Sequence, residues 1–338
     1  MSEAVIGYTD GYLEYNGYWL EPINYNPLNL PQYTMRILFE TPGVDPTTIW
    51  DPYLPPDSPL QPHWPSYVTW TQVSSSPNVW DYHRNTTSWA RALAGLNGGL
   101  HLGTHSMSKY HVLGANLTGV NSMYEMFAGG QSQDYNMLVS CVPFDTSAVD
   151  TNGGGHMGLS GLFMNCPLLT EAPFFETSTV TNMRYMFAHT KIGNVPMYNT
   201  ASVTDMSCMF LSCKHIQSCP DFNTSRVSTM YYMFAGASSL VSAPQFNTRR
   251  VTNMEAMFGG CSSMTAVPQY DLHRIENLDS MFASCVNVAG GALDFYTAAS
   301  AISPAPSHAY TFDQCGSNTT TGAAELAQIP SSWGGTGA

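Results

Sequence analysis

Val180-Thr-Asn-Met-Arg-Tyr-Met-Phe187 decides how the chain is read, because the same eight-residue pattern returns along it. Downstream it recurs as Val203-Thr-Asp-Met-Ser-Cys-Met-Phe210, Val227-Ser-Thr-Met-Tyr-Tyr-Met-Phe234, Val251-Thr-Asn-Met-Glu-Ala-Met-Phe258 and Ile275-Glu-Asn-Leu-Asp-Ser-Met-Phe282. Upstream stand Val120-Asn-Ser-Met-Tyr-Glu-Met-Phe127 and a degenerate copy ending at Leu162-Phe163. The closing phenylalanines follow one another at intervals of 36, 24, 23, 24, 24 and 24 residues. A fixed period in this range is the signature of a repeat architecture.

Within one unit, Val251, Met254, Met257 and Phe258 fall at i, i+3, i+6 and i+7, one face of a two-turn helix. Thr248 is placed to cap or precede it. Ahead of the helix, Leu240 to Ala243 reads as a short strand that Pro244 ends, with Phe246 turning back inward. The Pro-x-aromatic element returns at Pro173, Pro196, Pro220 and Pro268. The expected fold is therefore an α/β solenoid: a right-handed coil of about seven units of 23–24 residues, each a short parallel strand plus a short helix. One such unit cannot bury its own apolar face, so both ends of the stack need caps.

The chain divides accordingly into an extended N-terminal arm (1–33), an N-terminal cap (34–112), the repeats (113–288) and a C-terminal cap (289–338). The arm is rich in Tyr, Asn, Gly and Pro, too polar for a core and too aromatic for a plain linker, and reads either as a segment that orders on a partner or as a disordered tail. Strands are expected at Met35–Glu40 and Tyr67–Val73, a short helix at Asn85–Ala94, and another at Thr321–Pro330. The 36-residue interval holds surplus residues near Gly129–Tyr135 and Gly153–His156, read as loops on the binding face or as neutral insertions.

Charge is the unusual bulk quantity. Only 10% of the 338 residues are charged, against about 25% in ordinary domains. The net charge of −13 argues against nucleic acid and against an anionic membrane surface. The first ten residues carry neither a basic nor an apolar segment, so no signal peptide is expected, and no apolar run suggests membrane insertion. Cys166, Cys213, Cys261 and Cys285 lie three residues after a closing Phe, in one register. They read as buried thiols; adjacent coils also bring Cys261 and Cys285 within bridging reach.

No nucleophile elbow, phosphate loop, zinc-helix motif or dinucleotide fingerprint is present, so no catalytic residue, metal ligand or cofactor is expected and the chain reads as a non-enzyme. His101, His105 and His111 read as loop histidines. Binding candidates are residues that recur with the coil. Arg226, Arg250 and Arg274 each precede the repeat Val or Ile and should stack along one edge, joined by Arg249. Stacked like charges repel by up to about 1 kcal/mol per exposed pair. Either acidic groups such as Glu276 interleave, or the ridge meets an anionic ligand. Arg184, Tyr185, Tyr231, Tyr232 and Tyr124 fall on the outer side of the expected helices, where a sugar or protein can stack; plain exposed tyrosines of a low-charge surface are the alternative.

The phrases Phe222-Asn-Thr-Ser-Arg-Val-Ser-Thr-Met-Tyr-Tyr-Met-Phe234 and Phe246-Asn-Thr-Arg-Arg-Val-Thr-Asn-Met-Glu-Ala-Met-Phe258 resemble the repeat of BspA-type leucine-rich-repeat surface proteins, over about residues 113–288. The flanks look like the ends attached to this repeat in proteins of gut bacteria and their phages. The resemblance implies a leucine-rich-repeat-like scaffold that adheres to host molecules, glycans or neighbouring proteins, with no catalytic residues to transfer. Cell-surface members usually carry an export signal or lipid anchor, whereas a virion protein needs neither. The expectation is a phage decoration or receptor-binding protein on the virion surface (capsid or tail), its arm on other virion proteins and its solenoid toward a host-surface glycan or protein. A homo-oligomer is compatible with this. The alternatives are a bacterial cell-surface adhesin and an enzyme acting on polysaccharide.

Overall fold

The computed structural model describes residues 6–9, 12–15, 18–19, 28–40, 43, 45–46, 68–86, 109–129, 136–150 and 158–337. The prolines between 52 and 65, nearly all of the helix expected at Asn85–Ala94, His101, His105 and both expected loops apart from Gly129 lie outside the described residues. In the N-terminal segment three short strands, β1 (Ile6–Thr9), β2 (Tyr12–Tyr15) and β3 (Tyr18–Trp19), pair antiparallel in chain order.

A five-stranded mixed sheet follows, built from β4 (Thr34–Phe39), β5 (Val68–Ser75), β6 (Asn78–Arg84), β7 (Tyr110–Asn116) and β8 (Leu138–Cys141) in the order β5-β6-β4-β7-β8. The β7–β8 pair is parallel and the others antiparallel. β4 is central because its alternation fits both faces: Met35, Ile37 and Phe39 are buried, while Arg36 points the other way. Arg36 meets its cross-strand partner Asp81 through two hydrogen bonds of 2.7 and 2.8 Å. On the inner face Trp70 packs edge-on to Tyr82 at 4.8 Å.

The expected helix–strand solenoid is wrong for this chain. The described regular structure is the three-stranded sheet, the mixed sheet, two short α-helices, α1 (Ala292–Ser300) and α2 (Thr320–Leu326), and a 3-10 turn at Ser331–Trp333, all of the helical elements beyond Phe282. Between Val180 and Phe282 no α-helix forms, the strand expected at Leu240–Ala243 is absent, and the strand-type pairing between successive units is limited to isolated parallel bridges, Asn182 to Asp205, Thr229, Asn253, Asn277 and Ser307.

The backbone explains why. In Met183–Thr190, the N–H groups of Met183, Tyr185, Phe187 and His189 donate to carbonyls of the next unit, at Asp205, Ser207, Met209 and Leu211 (2.8–3.0 Å). The alternate N–H groups of Met186, Ala188 and Thr190 donate back three residues, to Met183, Tyr185 and Phe187. An α-helix would bond four residues back and leave none for a neighbour. Two residues per unit are left-handed, Tyr185 (φ 57°) and His189 (φ 60°), and the pattern repeats at Cys208 and Ser212, Tyr232 and Gly236, Ala256 and Gly260, and Ser280 and Ser284. A left-handed residue every fourth position is incompatible with a right-handed helix. The three-residue spacing that mimics a helical face comes instead from consecutive tight turns.

Side chains then lock the units. The closing rings of Phe127, Phe163, Phe187, Phe210, Phe234, Phe258 and Phe282 stack with centroids 5.3–6.0 Å apart and interplanar angles of 17° or less. Phe312 continues the row at 5.8 Å, so Ser307-His-Ala-Tyr-Thr-Phe312 is one further unit, displaced by the insertion of α1. Trp333 ends the row: its carbonyl accepts the Phe312 N–H at 2.8 Å and its ring stacks on His308 at 4.1 Å. Glu325 of α2 fixes α1 by accepting from the N–H groups of Gly291, Ala292 and Leu293.

Candidate functional site

Most of the repeated motif is consumed in holding the units together. In the Asn-Thr step of a unit the Asn, or the Asp or Glu in its place, accepts from the backbone N–H two residues on, as Asn247 does from Arg249 at 3.2 Å and Glu176 from Ser178 at 2.8 Å. The Thr beside it is buried and donates its hydroxyl to the next unit's backbone: Thr177 to Asn199, Thr200 to Asn223, Thr224 to Asn247 and Thr248 to Asp271, all 2.8–3.0 Å. Thr248 is thus a rung between units rather than a helix cap. The in-register cysteines do the same from the other side: Cys166, Cys213, Cys261 and Cys285 point their thiols at the carbonyls of Phe127, Phe187, Phe234 and Phe258. All are free, including Cys261 and Cys285. Burial raises their pKa values, to about 11 for Cys213 and about 12 for Cys285. They are packing groups, not nucleophiles.

What remains for a ligand is the outward set. Arg226, Arg250 and Arg274 are exposed and sit one per unit, directly before the buried Val227, Val251 and Ile275. Arg249, Arg250 and Arg274, with Ser225 and Asn247, line one shallow cleft of about 330 Å³. None of the four arginines forms an ion pair or a side-chain hydrogen bond among the described residues, so the interleaving with Glu276 is not formed. Ser225 and Asn247 are members of the cleft that the sequence reading passed over, although both stand in the Asn-Thr-Ser/Arg-Arg stretch that carries the arginines.

Arg184 belongs to a different cluster. Its guanidinium lies 5.0 and 5.2 Å from the ring centres of Tyr185 and Tyr231 and donates to the Tyr231 hydroxyl. Tyr231 in turn packs edge-on to Tyr232 at 5.7 Å. Burial disfavours the Arg184 charge, but its bond to Tyr185 and the nearness of Tyr231, Tyr185 and Asp205 prevail and raise its pKa. Burial raises the Tyr231 pKa, helped by Cys208 and Tyr185 and opposed by Arg184; burial and Glu255 raise that of Tyr232. These tyrosines and Tyr124 are half-buried, so the cluster is a packed patch with one charged centre. His111 lies on β7 between Ser140 (2.8 Å) and Glu40 (3.0 Å). No group of three metal-ligating side chains occurs among the described residues, and no helix among them is long and apolar enough to cross a membrane.

The model of a protein family described as "Mycoplasma protein of unknown function, DUF285" matches three overlapping stretches, residues 104–220, 157–266 and 190–296, which together span more than half of the chain. Neither a curated protein nor a solved structure matches it.

Proposed function

We propose that this chain, which belongs to the DUF285 family, is a non-enzymatic binding protein that presents the variable residues of its stacked units to a ligand on a biological surface. One observation carries the reading. Four of eleven basic residues in a chain of net charge −13 gather on three successive units, and no acid within the described chain neutralises them. Exposed like charges held in a row raise the energy of the unliganded protein, and a partner supplying the opposite charge removes that cost. The rigidity of the hydrogen-bonded stack supports the same reading, since a preordered array loses little entropy when a partner docks.

The resemblance of the repeats to BspA-type surface proteins extends the proposal to where the partner is met: the surface of a phage particle, with the N-terminal region seated on other virion proteins, or, as the second option, the surface of a bacterium. Many copies on one particle would turn weak single contacts into avidity. The experiment is to incubate the labelled full-length chain with intact bacteria and, separately, to probe purified particles from the same source for the chain. Cell binding that saturates is the expected result. Absence of binding to every cell surface tried, together with absence from particles, would falsify the reading.

A further inference from the structure

Building on that reading of the chain as a binding protein, we propose that the arginine cleft is a site for an anionic polysaccharide bearing carboxylate or sulfate groups on separate sugars. Arg226, Arg250 and Arg274 recur once per unit, and successive units are joined by backbone hydrogen bonds, so neighbouring guanidinium groups start from backbones about 4.8 Å apart. The row is therefore a line of charge about 10 Å long, running with the stack. Arg249 widens it at the middle unit, and the 330 Å³ cleft lies against that wider part.

The cationic lining matches an anion. Around the cleft stand Arg249, Arg250 and Arg274, the Asn247 amide, whose oxygen is engaged by the Arg249 N–H, and the Ser225 hydroxyl, which donates to Asn223 at 2.8 Å. No carboxylate lines it. Guanidinium groups grip carboxylate and sulfate through paired hydrogen bonds. The openness of the site decides between a small anion and a polymer. An exposed ion pair contributes only about 0–1 kcal/mol, so one small anion would be held poorly, whereas a chain that meets several arginines at once adds their contributions. Charge density decides between polymers. A nucleic acid carries its phosphates close together over its whole length and would be repelled by a protein of net charge −13 wherever it left the ridge. A sugar polymer with sparse charges touches the ridge alone. The larger depression beside α1, about 490 Å³, offers no such convergence of donors and includes Asp271.

The test uses the full chain on immobilised chondroitin sulfate, hyaluronan, uncharged dextran and a single-stranded DNA oligonucleotide, with intact cells as a parallel arm. The expected result is salt-sensitive binding to chondroitin sulfate or hyaluronan, none to dextran, and a loss of at least about tenfold in R226A/R249A/R250A/R274A. Because these exposed side chains form no ion pair or side-chain hydrogen bond among the described residues, the variant's unfolding curve should overlay that of the parent. Equal polyanion binding by the variant, or DNA bound as tightly as the sulfated polymer, overturns the inference. Cell binding without any polyanion binding overturns the inference alone; failure on both arms removes the binding-protein reading as well.

Discussion

Ser284 offers a test of the turn-built stack in which the sign of the effect matters more than its size. It is exposed, left-handed (φ 61°), and its N–H donates to the Asp313 carbonyl at 2.7 Å, a bond that glycine keeps. A non-glycine residue in this conformation costs about 1–2 kcal/mol. Glycine there removes that cost but gives up about 0.5–1 kcal/mol through the greater freedom of the unfolded chain. The balance for Ser284→Gly is a gain of about 0.5–1 kcal/mol. Gln314, exposed with φ 58°, occupies the same register one unit on, so Ser284→Gly with Gln314→Gly should gain about 1–2 kcal/mol. The reverse change is Gly260→Ala at φ 76°, where a Cβ would meet nothing closer than the Gly236 backbone at 3.6 Å; it should lose about 0.5–1 kcal/mol by conformation alone. Urea unfolding followed by tryptophan fluorescence reads all three, with Ser284→Ala as the near-neutral control. Were residue 284 right-handed, glycine there would instead cost about 0.5–1 kcal/mol. A destabilised Ser284→Gly therefore refutes the turn geometry.

Phe234, wholly buried between Phe210 and Phe258, should cost about 3–5 kcal/mol as Phe234→Ala, seen as a lower urea midpoint. Thr224→Val keeps the shape of a buried side chain but leaves the Asn247 carbonyl without its 3.0 Å donor; a loss of about 1–2 kcal/mol is expected by the same assay, and none at all would remove the threonine rungs from the account. The thiols make stability fall in alkali. Their folded pKa values, about 11 for Cys213 and about 12 for Cys285, lie above the ordinary value of 9.0, so between pH 9 and pH 11 the unfolded chain releases protons that the folded chain keeps. Stability is then full below pH 9 and drops as pH rises, by up to about 1.4 kcal/mol per pH unit for each such thiol. Urea midpoints at pH 8, 9 and 10 check this, and Cys213→Ala should flatten the slope.

Much of the architecture can be read from spacing because identical neighbours repeat identical chemistry. The period of the closing phenylalanines locates every ring from Phe127 to Phe282 in the stack, and the register of the cysteines identifies a buried column. The arginine row is legible for the same reason: a residue that always precedes the buried Val or Ile recurs at the same place on each unit. Local conformation is less legible. Met254, Met257 and Phe258 satisfy a helical face and a run of tight turns equally well, since both return a side chain to the core after three residues. Gly236 and Gly260 were the available hint, because glycine at the second position after the closing Phe suits a left-handed residue. Phe312 was missed because α1 stretches its unit beyond the common period.

By itself, the order of residues determined the period, the inward rows of Val, Met, Phe and Cys, and the set of outward side chains, because these depend only on which positions recur. The tertiary structure decided the rest. Tight turns prevail over helices because alternate N–H groups find acceptors on the adjacent unit, at Asp205, Ser207, Met209 and Leu211 for the run Met183–His189, and those acceptors exist only once the units are stacked. Stacking likewise decided that Arg184 is held among tyrosines while Arg249, Arg250 and Arg274 face an open cleft. A side chain's partners are set by what the next unit brings beside it, and no single unit contains that information.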